Sequence, residues 1–382
     1  MKIDPHKHKE RYFNWKEKTR EGIPDISRAD SDIIKQFLED MGRGINITKG
    51  TKKGARSYIR LNTLRDRLIF LSKRLKEKFT INLTEATEEQ LHSFFGEMRN
   101  GQIRRLDGQE YKSIADYVKT FKSFWNWFIK IQKKQGREIP DICTDLDTKR
   151  DKPQWVYLTE EQIRKLCNNA KYEYKVLIWF LFDSGIRSPT ELVNIRVSDL
   201  SQDCKNLHIR EEISKTFGRK INLMLCSEML KEYIKDKGLG IGDYIFPINP
   251  YITNTYLKRL GEKVLGDSES LGGEKYSKIT MYDFRHNSAC YWLPRYKSES
   301  ALKYRFGWKK SEMIHYYTEL LGMKDTINEE DMLIDITKTE IEKRLERSER
   351  EKELLQEKMR TLELQMAKIM ELTNHLHRKI EN

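Results

Sequence analysis

Helical periodicity dominates the first third of the chain and limits what this part can fold into. In SDIIKQFLEDM, Ile33, Phe37 and Met41 recur on one helical face, behind Ser31 as a candidate N-cap. The same periodicity recurs in TLRDRLIFLSKRLKEKF, TEEQLHSFFGEMRN and SIADYVKTFKSFWNWFIKIQKK, with no clear strand between them. Because such helices bury their apolar faces against one another, we predict an all-helical bundle for residues 29–138.

The pattern changes after this bundle. GREIPDICTDLDTKRDKPQW is charged, contains two prolines and shows little periodicity, so residues 139–156 are predicted to be a linker. A capped helix then begins at LTEEQIRKLCNNA, with Thr159 as N-cap. NLHIREEI and RKINLML are short β-type runs joined by SKTFG, which predicts an antiparallel hairpin between helices. Residues 157–325 are therefore expected to form an α+β domain with a small antiparallel sheet, in a chain that is mainly α.

The last part of the chain, residues 326–382, has a heptad pattern. Two series of apolar residues follow a seven-residue spacing, the second four residues after the first, with interruptions at Ser348, Lys352 and Thr373. The first series is Ile341, Leu355, Leu362, Ile369 and Leu376, and the second is Leu345, Met359, Met366 and Ile380. Glycine and proline are absent from residue 341 onwards, which favours a long helix. We predict a coiled coil, and its partner is either a second copy of this chain or another protein.

The charge balance points to a polyanionic partner. Lys and Arg number 72 against 59 Asp and Glu, a formal net charge of +13, and a surplus of this size favours nucleic acid. A lysine-rich soluble surface is the plainer alternative. INITKGTKKGARSYIR, between two predicted helices, is either a solvated loop or an arm that grips a phosphate backbone, and residues 1–28 form a basic N-terminal segment.

Cysteine usage and hydropathy favour a cytoplasmic location. The five cysteines are far apart and form no C-x-x-C pair, so neither a disulfide framework nor a structural zinc site is expected. No window approaches 18 consecutive apolar residues, and the start MKIDPHKHKERYF lacks the apolar stretch of a secretion signal. We expect neither a membrane span nor export.

Five short features of the second domain occur in a fixed order, and each alone is weak. They are GIRSPTEL with Arg187, SKTFGRK with Lys215, YDFRH with Tyr282 and Arg285, FGW with Trp308, and HYYTEL with Tyr317. Together they resemble the tyrosine recombinase (phage integrase) family over roughly residues 157–320. Three conserved motifs of the family read G-[LIM]-R-x-P-[ST]-E-L, H-x-L-R-H and L-G-[HW], and GIRSPTEL, YDFRH and FGW resemble them in this order. A tyrosine nine positions after the last box is expected, and Tyr317 satisfies that offset whereas Tyr316 does not.

The resemblance implies a DNA-cleaving and rejoining enzyme. Arg187 and Arg285 would hold the non-bridging oxygens of a phosphodiester, and Trp308 would donate its indole N–H. Tyr317 would attack the phosphorus to form a 3′-phosphotyrosine, and Lys215 would protonate the departing 5′ oxygen. Glu191 is expected to orient Arg187. Because the phosphotyrosine bond stores the energy for rejoining, neither ATP, a metal nor a cofactor is implied.

The same resemblance implies an assembly. Members of the family act as tetramers on two double-stranded DNA sites through a Holliday junction, and the helical domain is similar in kind to their core-binding domain. The two domains would clamp the duplex like a C. The composition and Tyr282 favour an integrase of the archaeal type, carried by a virus, plasmid or other mobile element. A topoisomerase of type IB that nicks and reseals one strand, and a non-catalytic DNA-bridging protein of the same fold, are the alternatives.

One position departs from the family pattern. Tyr282 stands where the family usually has the first histidine of H-x-L-R-H, and a phenol with a pKa of about 10 is a poor base at neutral pH. Its hydroxyl can still donate a hydrogen bond to phosphate. His286 and His315 lie close enough in sequence to accept the proton of Tyr317, although a structural role is more typical for His286. The general base therefore stays open at this point. This hypothesis depends on the phenol oxygen of Tyr317 lying in line with a phosphodiester that the two guanidiniums hold.

Overall fold

The computed structural model describes residues 3–45, 54–105, 107–149, 153–296 and 298–321, together with positions 356, 359 and 366. Residues 1–317 form one compact unit and residues 318–382 a second. The predicted coiled coil lies almost entirely outside the described residues, and so do residues 46–53, half of the basic INITKGTKKGARSYIR segment. None of the described helices is long and apolar enough to cross a membrane.

The first domain is helical, as its periodicity predicts. Its helices are α1 (His8–Lys18), α2 (Arg28–Arg43), α3 (Tyr58–Phe79), α4 (Glu88–Arg99) and α5 (Ile114–Lys134). Helix α2 begins earlier than its pattern indicates, because Ser27 and not Ser31 is the N-cap: the Ser27 hydroxyl accepts a hydrogen bond from the Asp30 amide at 3.1 Å. Ser31 lies one turn inside the helix, buried, where it accepts from the Ile23 amide at 3.0 Å.

Aromatic rings fill the core of this domain. Phe37 packs edge-on against Trp127, with ring centroids 5.1 Å apart, and the Trp127 indole donates to Asp40 at 2.9 Å. The core also takes in Tyr12 and Ile23 before residue 29, and three side chains after residue 138: Ile142, Cys143 and Leu146. The domain boundaries remain a prediction, but stretches on both sides of the bundle contribute to its core.

The second domain combines helices with one hairpin. Its helices are α6 (Glu160–Asn169), α7 (Tyr172–Ser184), α8 (Ser227–Asp236), α9 (Pro250–Leu265), α10 (Met281–Trp292), α11 (Glu299–Phe306) and α12 (Glu312–Leu320). Thr159 caps α6 as predicted, in a reciprocal pair of hydrogen bonds with Gln162 of 3.0 and 3.2 Å. Residues 176–182 of α7 are all apolar and buried, because this part of the helix lies in the middle of the domain, with α6, α8 and α10 packed around it.

The predicted hairpin is present and antiparallel, which confirms the α+β class. Strand β1 (Asn206–Ile209) pairs with β2 (Arg219–Asn222), with Leu207 opposite Ile221 and Ile209 opposite Arg219. The first strand ends sooner than NLHIREEI indicates. Arg210 is drawn away from the ladder, since its guanidinium donates to Asp199 and to the Asn194 carbonyl, each at 2.8 Å. The connection therefore covers residues 210–218 and carries Lys215.

Candidate active site

Two glycines at helix ends bring the first and the last motif together. Helix α7 ends at Gly185, with φ of 58°, where a β-carbon would lie 2.3 Å from the Phe306 ring. Helix α11 ends at Gly307, with φ of 61°, where a β-carbon would lie 3.2 Å from Arg219 Nη1 and 3.3 Å from Arg187 Nη1. The absence of these two side chains lets GIRSPTEL approach FGW closely.

Arg187 is held in place by its own motif and by the end of α11. Its backbone N–H donates to Glu191 Oε2 at 2.8 Å, and Nη1 donates to Glu191 Oε1 at 2.9 Å. Nη2 donates to the Gly307 carbonyl at 2.8 Å. The side chain is 15% exposed, so part of the guanidinium is open to a ligand. Glu191 orients Arg187 here as the sequence predicts.

Arg285 reaches the same place from a different helix. It lies on α10 and is buried, and Nη2 donates to the Phe306 carbonyl at 2.6 Å while Nη1 donates to the Gly185 carbonyl. Burial, followed by repulsion from Arg187, lowers the pKa of Arg285 to about 10. The guanidinium is therefore still charged at neutral pH, and the proximity of Arg187 is unfavourable unless an anion offsets it.

Arg219 completes the cluster, and sequence reasoning missed it. It lies on β2, almost fully buried, with Nη1 and Nη2 donating to the two carboxylate oxygens of Glu191 at 3.1 and 2.8 Å. Its Nε donates to the Arg305 carbonyl at 2.8 Å. The alternation of inward and outward residues along β2 could have identified Arg219, because it lies on the same inward face of the strand as Ile221.

The cluster carries surplus positive charge. Three guanidiniums, those of Arg187, Arg219 and Arg285, donate to three successive carbonyls at residues 305–307. Arg187 and Arg219 also share the carboxylate of Glu191. Burial alone would raise the pKa of Glu191, but the hydrogen bonds and charge of Arg219, with those of Arg187, outweigh it and lower the pKa to about 2. With Glu191 ionised, two positive charges remain uncompensated. Such a site favours an anion with several acceptor oxygens.

Lys215 lies in an exposed part of the connection between β1 and β2. Its neighbour Thr216 donates from Oγ1 to the Gly307 carbonyl at 3.0 Å, the same carbonyl that Arg187 contacts. The hairpin connection therefore runs beside the arginine cluster, and Lys215 is one residue away from a direct contact with it.

Tyr317 lies beneath aromatic rings. Its ring stacks on Trp308, with centroids 5.8 Å apart and an interplanar angle of 20°, and meets Trp155 edge-on at 6.2 Å. The hydroxyl lies 2.5 Å from His286 Nδ1, a hydrogen bond, and the residue is only 2% exposed. Burial raises the pKa of Tyr317 well above its usual value. The phenol oxygen is thus close to the motif residues but covered, and it is not turned outward as the chemistry inferred from sequence requires during the reaction.

Tyr282, His286 and His315, the residues considered as partners of Tyr317, differ in their exposure and contacts. Tyr282 is 46% exposed and packs edge-on against His286, with centroids 5.1 Å apart. His286 is partly buried and stacks on Trp155 at 4.8 Å. Burial, followed by the charge of Arg285, lowers the pKa of His286 to about 4, so the imidazole is neutral at neutral pH. His315 is exposed.

A second contact missed from the sequence fixes helix α12. The Trp155 indole donates to the Tyr316 hydroxyl at 2.7 Å, and that hydroxyl donates to the Pro153 carbonyl at 3.1 Å. Both partners come from the stretch predicted to be a linker. Tyr316, which fails the family offset for a nucleophile, thus ties α12 to the start of the second domain and so positions Tyr317.

The comparisons with known proteins agree with this fold. Residues 156–322 match the model of the Phage integrase family. No curated protein matches the sequence. Among solved structures, the Tn1549 transposon integrase bound to circular intermediate DNA is 16% identical with a TM-score of 0.53, and covers 78% of this chain and 97% of that one.

Two structures of lambda integrase are similar in the same way. A tetramer bound to a Holliday junction is 13% identical with a TM-score of 0.56, covering 78% of this chain and 79% of that one. A dimer bound to a COC′ core site is 14% identical with a TM-score of 0.55, covering 78% and 98%. At these identities the likeness establishes a shared fold, and the chemistry must be argued from the side chains.

Proposed function

We propose that this chain, which belongs to the phage integrase family through residues 156–322, is a site-specific recombinase that cleaves and rejoins DNA through a 3′-phosphotyrosine. The observation that carries the proposal is the surplus positive charge of Arg187, Arg219 and Arg285 beside the buried phenol of Tyr317. A phosphodiester supplies both the anion that the cluster lacks and an electrophile for the phenol.

The arrangement supports a defined sequence of bond changes. Arg187 and Arg285 hold the non-bridging oxygens, which offsets the negative charge that grows on the phosphoryl group in the transition state. The Tyr317 oxygen forms a bond to phosphorus as the bond to the 5′ oxygen breaks, and Lys215 gives that oxygen its proton. A 5′ hydroxyl from the same or another strand then reverses these steps. Trp308, stacked on Tyr317, positions its ring and is the expected indole donor to phosphate.

For this reaction the phenol oxygen of Tyr317 must become accessible to phosphate. Its aromatic neighbours Trp155 and Trp308 lie against the ring, so a phosphate reaches the phenol oxygen only when these side chains shift. Such a requirement favours an enzyme that cleaves only after DNA has been engaged. We propose that the helical domain contacts the opposite face of the duplex, and that the active assembly is a tetramer on two sites. The family likeness to a lambda integrase tetramer on a Holliday junction supports this.

The test is covalent capture of DNA. The full chain is incubated with a library of nicked duplexes in which the short fragment released by cleavage diffuses away, and the DNA ends that remain bonded to protein are sequenced. We expect adducts that survive denaturant, and none with Tyr317→Phe. Tyr316→Phe is the comparison variant, because it removes a neighbouring phenol but leaves the proposed nucleophile; it should still form adducts, although more slowly, since the hydroxyl that fixes α12 is lost. Adducts with Tyr317→Phe, or none with the wild-type chain on any duplex, would refute the proposal.

A second assay separates recombination from strand relaxation. Once the target is known, a supercoiled plasmid with one copy of the site is compared with a plasmid that carries two. We expect exchange between two sites, with a cooperative dependence on protein concentration. Relaxation of the one-site plasmid at low protein concentration without any exchange would instead indicate a topoisomerase. In either case affinity should fall steeply as salt rises, since phosphate contacts release counterions.

A further inference from the structure

We propose that His286, and not Tyr282 at the position of the family's usual histidine, takes the proton from Tyr317 when DNA is cleaved. The inference rests on the proposed function. As the phenol oxygen bonds to phosphorus, its proton passes to His286 Nδ1, and the 5′ oxygen departs with the proton of Lys215. One proton is lost by Tyr317 and gained by His286, and the reverse transfers restore both groups on rejoining.

The first support is geometric. The Tyr317 hydroxyl lies 2.5 Å from His286 Nδ1, and it has no other hydrogen-bond partner among the described residues. Because the residue is only 2% exposed, a phenol that merely accepted a bond from Nδ1–H would leave its own hydrogen buried and unsatisfied. The favoured arrangement therefore has the phenol donating to Nδ1, with the imidazole hydrogen on Nε2. That is the orientation a general base needs.

The second support is the way the imidazole is held. Trp155 stacks on one side of His286 at 4.8 Å, and Tyr282 packs edge-on at 5.1 Å. Tyr282 thus contacts the ring of His286, and its hydroxyl has no hydrogen-bond partner among the described residues. The role that follows for Tyr282 is to position the imidazole. His315 is two residues before Tyr317 on the same helix but exposed, and within the described part of the chain it makes no hydrogen bond or ring contact with Tyr317.

The third support is electrostatic. Among the described residues, the charged or titratable groups that act on His286 or on its partner Tyr317 are Arg285, Tyr282 and Cys290 on α10 and Tyr316 on α12. Burial and the charge of Arg285 keep His286 neutral, so its lone pair is free at neutral pH. The same charge makes proton uptake unfavourable until a phosphate arrives to offset it. Ionisation of Tyr317 is in this way coupled to the presence of the substrate.

The test replaces His286 with residues that keep or remove the contact. In His286→Asn the side-chain oxygen can still accept a hydrogen bond from Tyr317 but cannot take its proton, whereas His286→Ala removes both functions. Single-turnover adduct formation on a nicked duplex is measured from pH 5 to pH 9, together with DNA affinity by fluorescence anisotropy. We expect a loss of about 100-fold or more at pH 7 for both variants, as for other general bases, with affinity changed only a few-fold.

The shape of the pH profile provides a second readout. In the wild type the rate should be nearly constant from pH 5 to pH 9, because His286, with a pKa of about 4, is neutral throughout this range. In His286→Asn it should rise continuously towards pH 9, because hydroxide must then remove the phenol proton. Tyr282→Phe should slow cleavage only a few-fold. Cleavage by His286→Asn at or above the wild-type rate would show that the contact merely restrains Tyr317. A loss of rate in Tyr282→Phe as large as that in His286→Asn would place the base at Tyr282. Either result overturns the inference.

A sulfur substitution distinguishes loss of the base from a general loss of structure. When the 5′ bridging oxygen is replaced by sulfur, the leaving thiolate needs no proton, so the defect of Lys215→Ala should disappear. The defect of His286→Asn should persist, because the phenol must still lose its proton. Recovery of both variants would contradict the inference, as would recovery of His286→Asn alone. If the wild-type chain forms no adduct at all, the proposed function fails; if it does and His286→Asn is unimpaired, only the role of His286 fails.

Discussion

Replacing Glu191 with glutamine removes the carboxylate that Arg187 and Arg219 share. Glutamine has nearly the shape of the protonated acid, so the change deletes a charge and little volume. The pKa of Glu191 falls from its ordinary 4.5 to about 2 in the folded protein. Because a pKa shift of one unit corresponds to about 1.36 kcal/mol, the ionised carboxylate contributes about 3 kcal/mol to the folding stability at pH 7. Since the residue is buried, solvent screening does not reduce this figure greatly.

The pH dependence gives the sign of the effect. The folded pKa is depressed, so this stabilisation is fully present above the unfolded value of 4.5 and disappears as pH falls through about 2. We expect Glu191→Gln to lower the free energy of unfolding by about 3 kcal/mol at pH 7 and by only about 1 kcal/mol at pH 3. Inorganic phosphate should stabilise the variant more than the wild type, because the three guanidiniums then lack their counterion.

The assay is urea unfolding followed by tryptophan fluorescence, with Trp155, Trp179, Trp292 and Trp308 reporting on the second domain. Glu161→Gln is the matched control. Glu161 lies on α6 with a side chain that is 77% exposed in its pair with Lys165, so its replacement should change stability by less than about 0.5 kcal/mol. A Glu191→Gln variant as stable as the control at pH 7, or a deficit that grows towards pH 3, would refute the reasoning.

Two further variants probe the same cluster. Gly307→Ala should lower the unfolding free energy by about 1–2 kcal/mol, because φ of 61° disfavours a side chain and the new carbon would lie 3.3 Å from Arg187 Nη1. The variant should also form no covalent adduct. An unchanged melting temperature would contradict the packing argument. Arg219→Lys keeps the charge but cannot bridge both oxygens of Glu191, so cleavage should fall at least tenfold while DNA affinity, measured by anisotropy, is unchanged. An equal loss of affinity would mean that Arg219 contacts DNA directly.

Local patterns predicted the elements that depend on local contacts. The spacing of apolar residues indicated the helices, and the alternation in RKINLML indicated the strand that carries Arg219. Element ends were less predictable. Ser27 and Ser31 are equally suitable caps by residue type, but in the folded chain Ser27 caps the helix while the Ser31 hydroxyl accepts a hydrogen bond from the Ile23 amide. The first strand is shortened because Arg210 bonds to Asp199, which no local pattern reveals.

The active-site residues likewise fall into those that the sequence identified and those that only the structure revealed. The order of the motifs identified Arg187, Arg285 and Tyr317, since each has a residue type and a spacing that its chemistry requires. Arg219 belongs to no such motif, because its partner Glu191 is 28 positions away in the sequence and lies in another element. The covering of Tyr317 by Trp155 likewise joins α12 to a stretch that its sequence indicates only as a linker.

Residue types and their order were thus sufficient to determine the class of fold and the groups that can act on a phosphodiester. Only the folded chain decided that a third arginine shares Glu191, that the nucleophile is covered, and that its hydroxyl meets His286. The physical reason is that hydrogen bonds and burial depend on distances in space, and these are set where helix ends at Gly185 and Gly307 let distant segments come together.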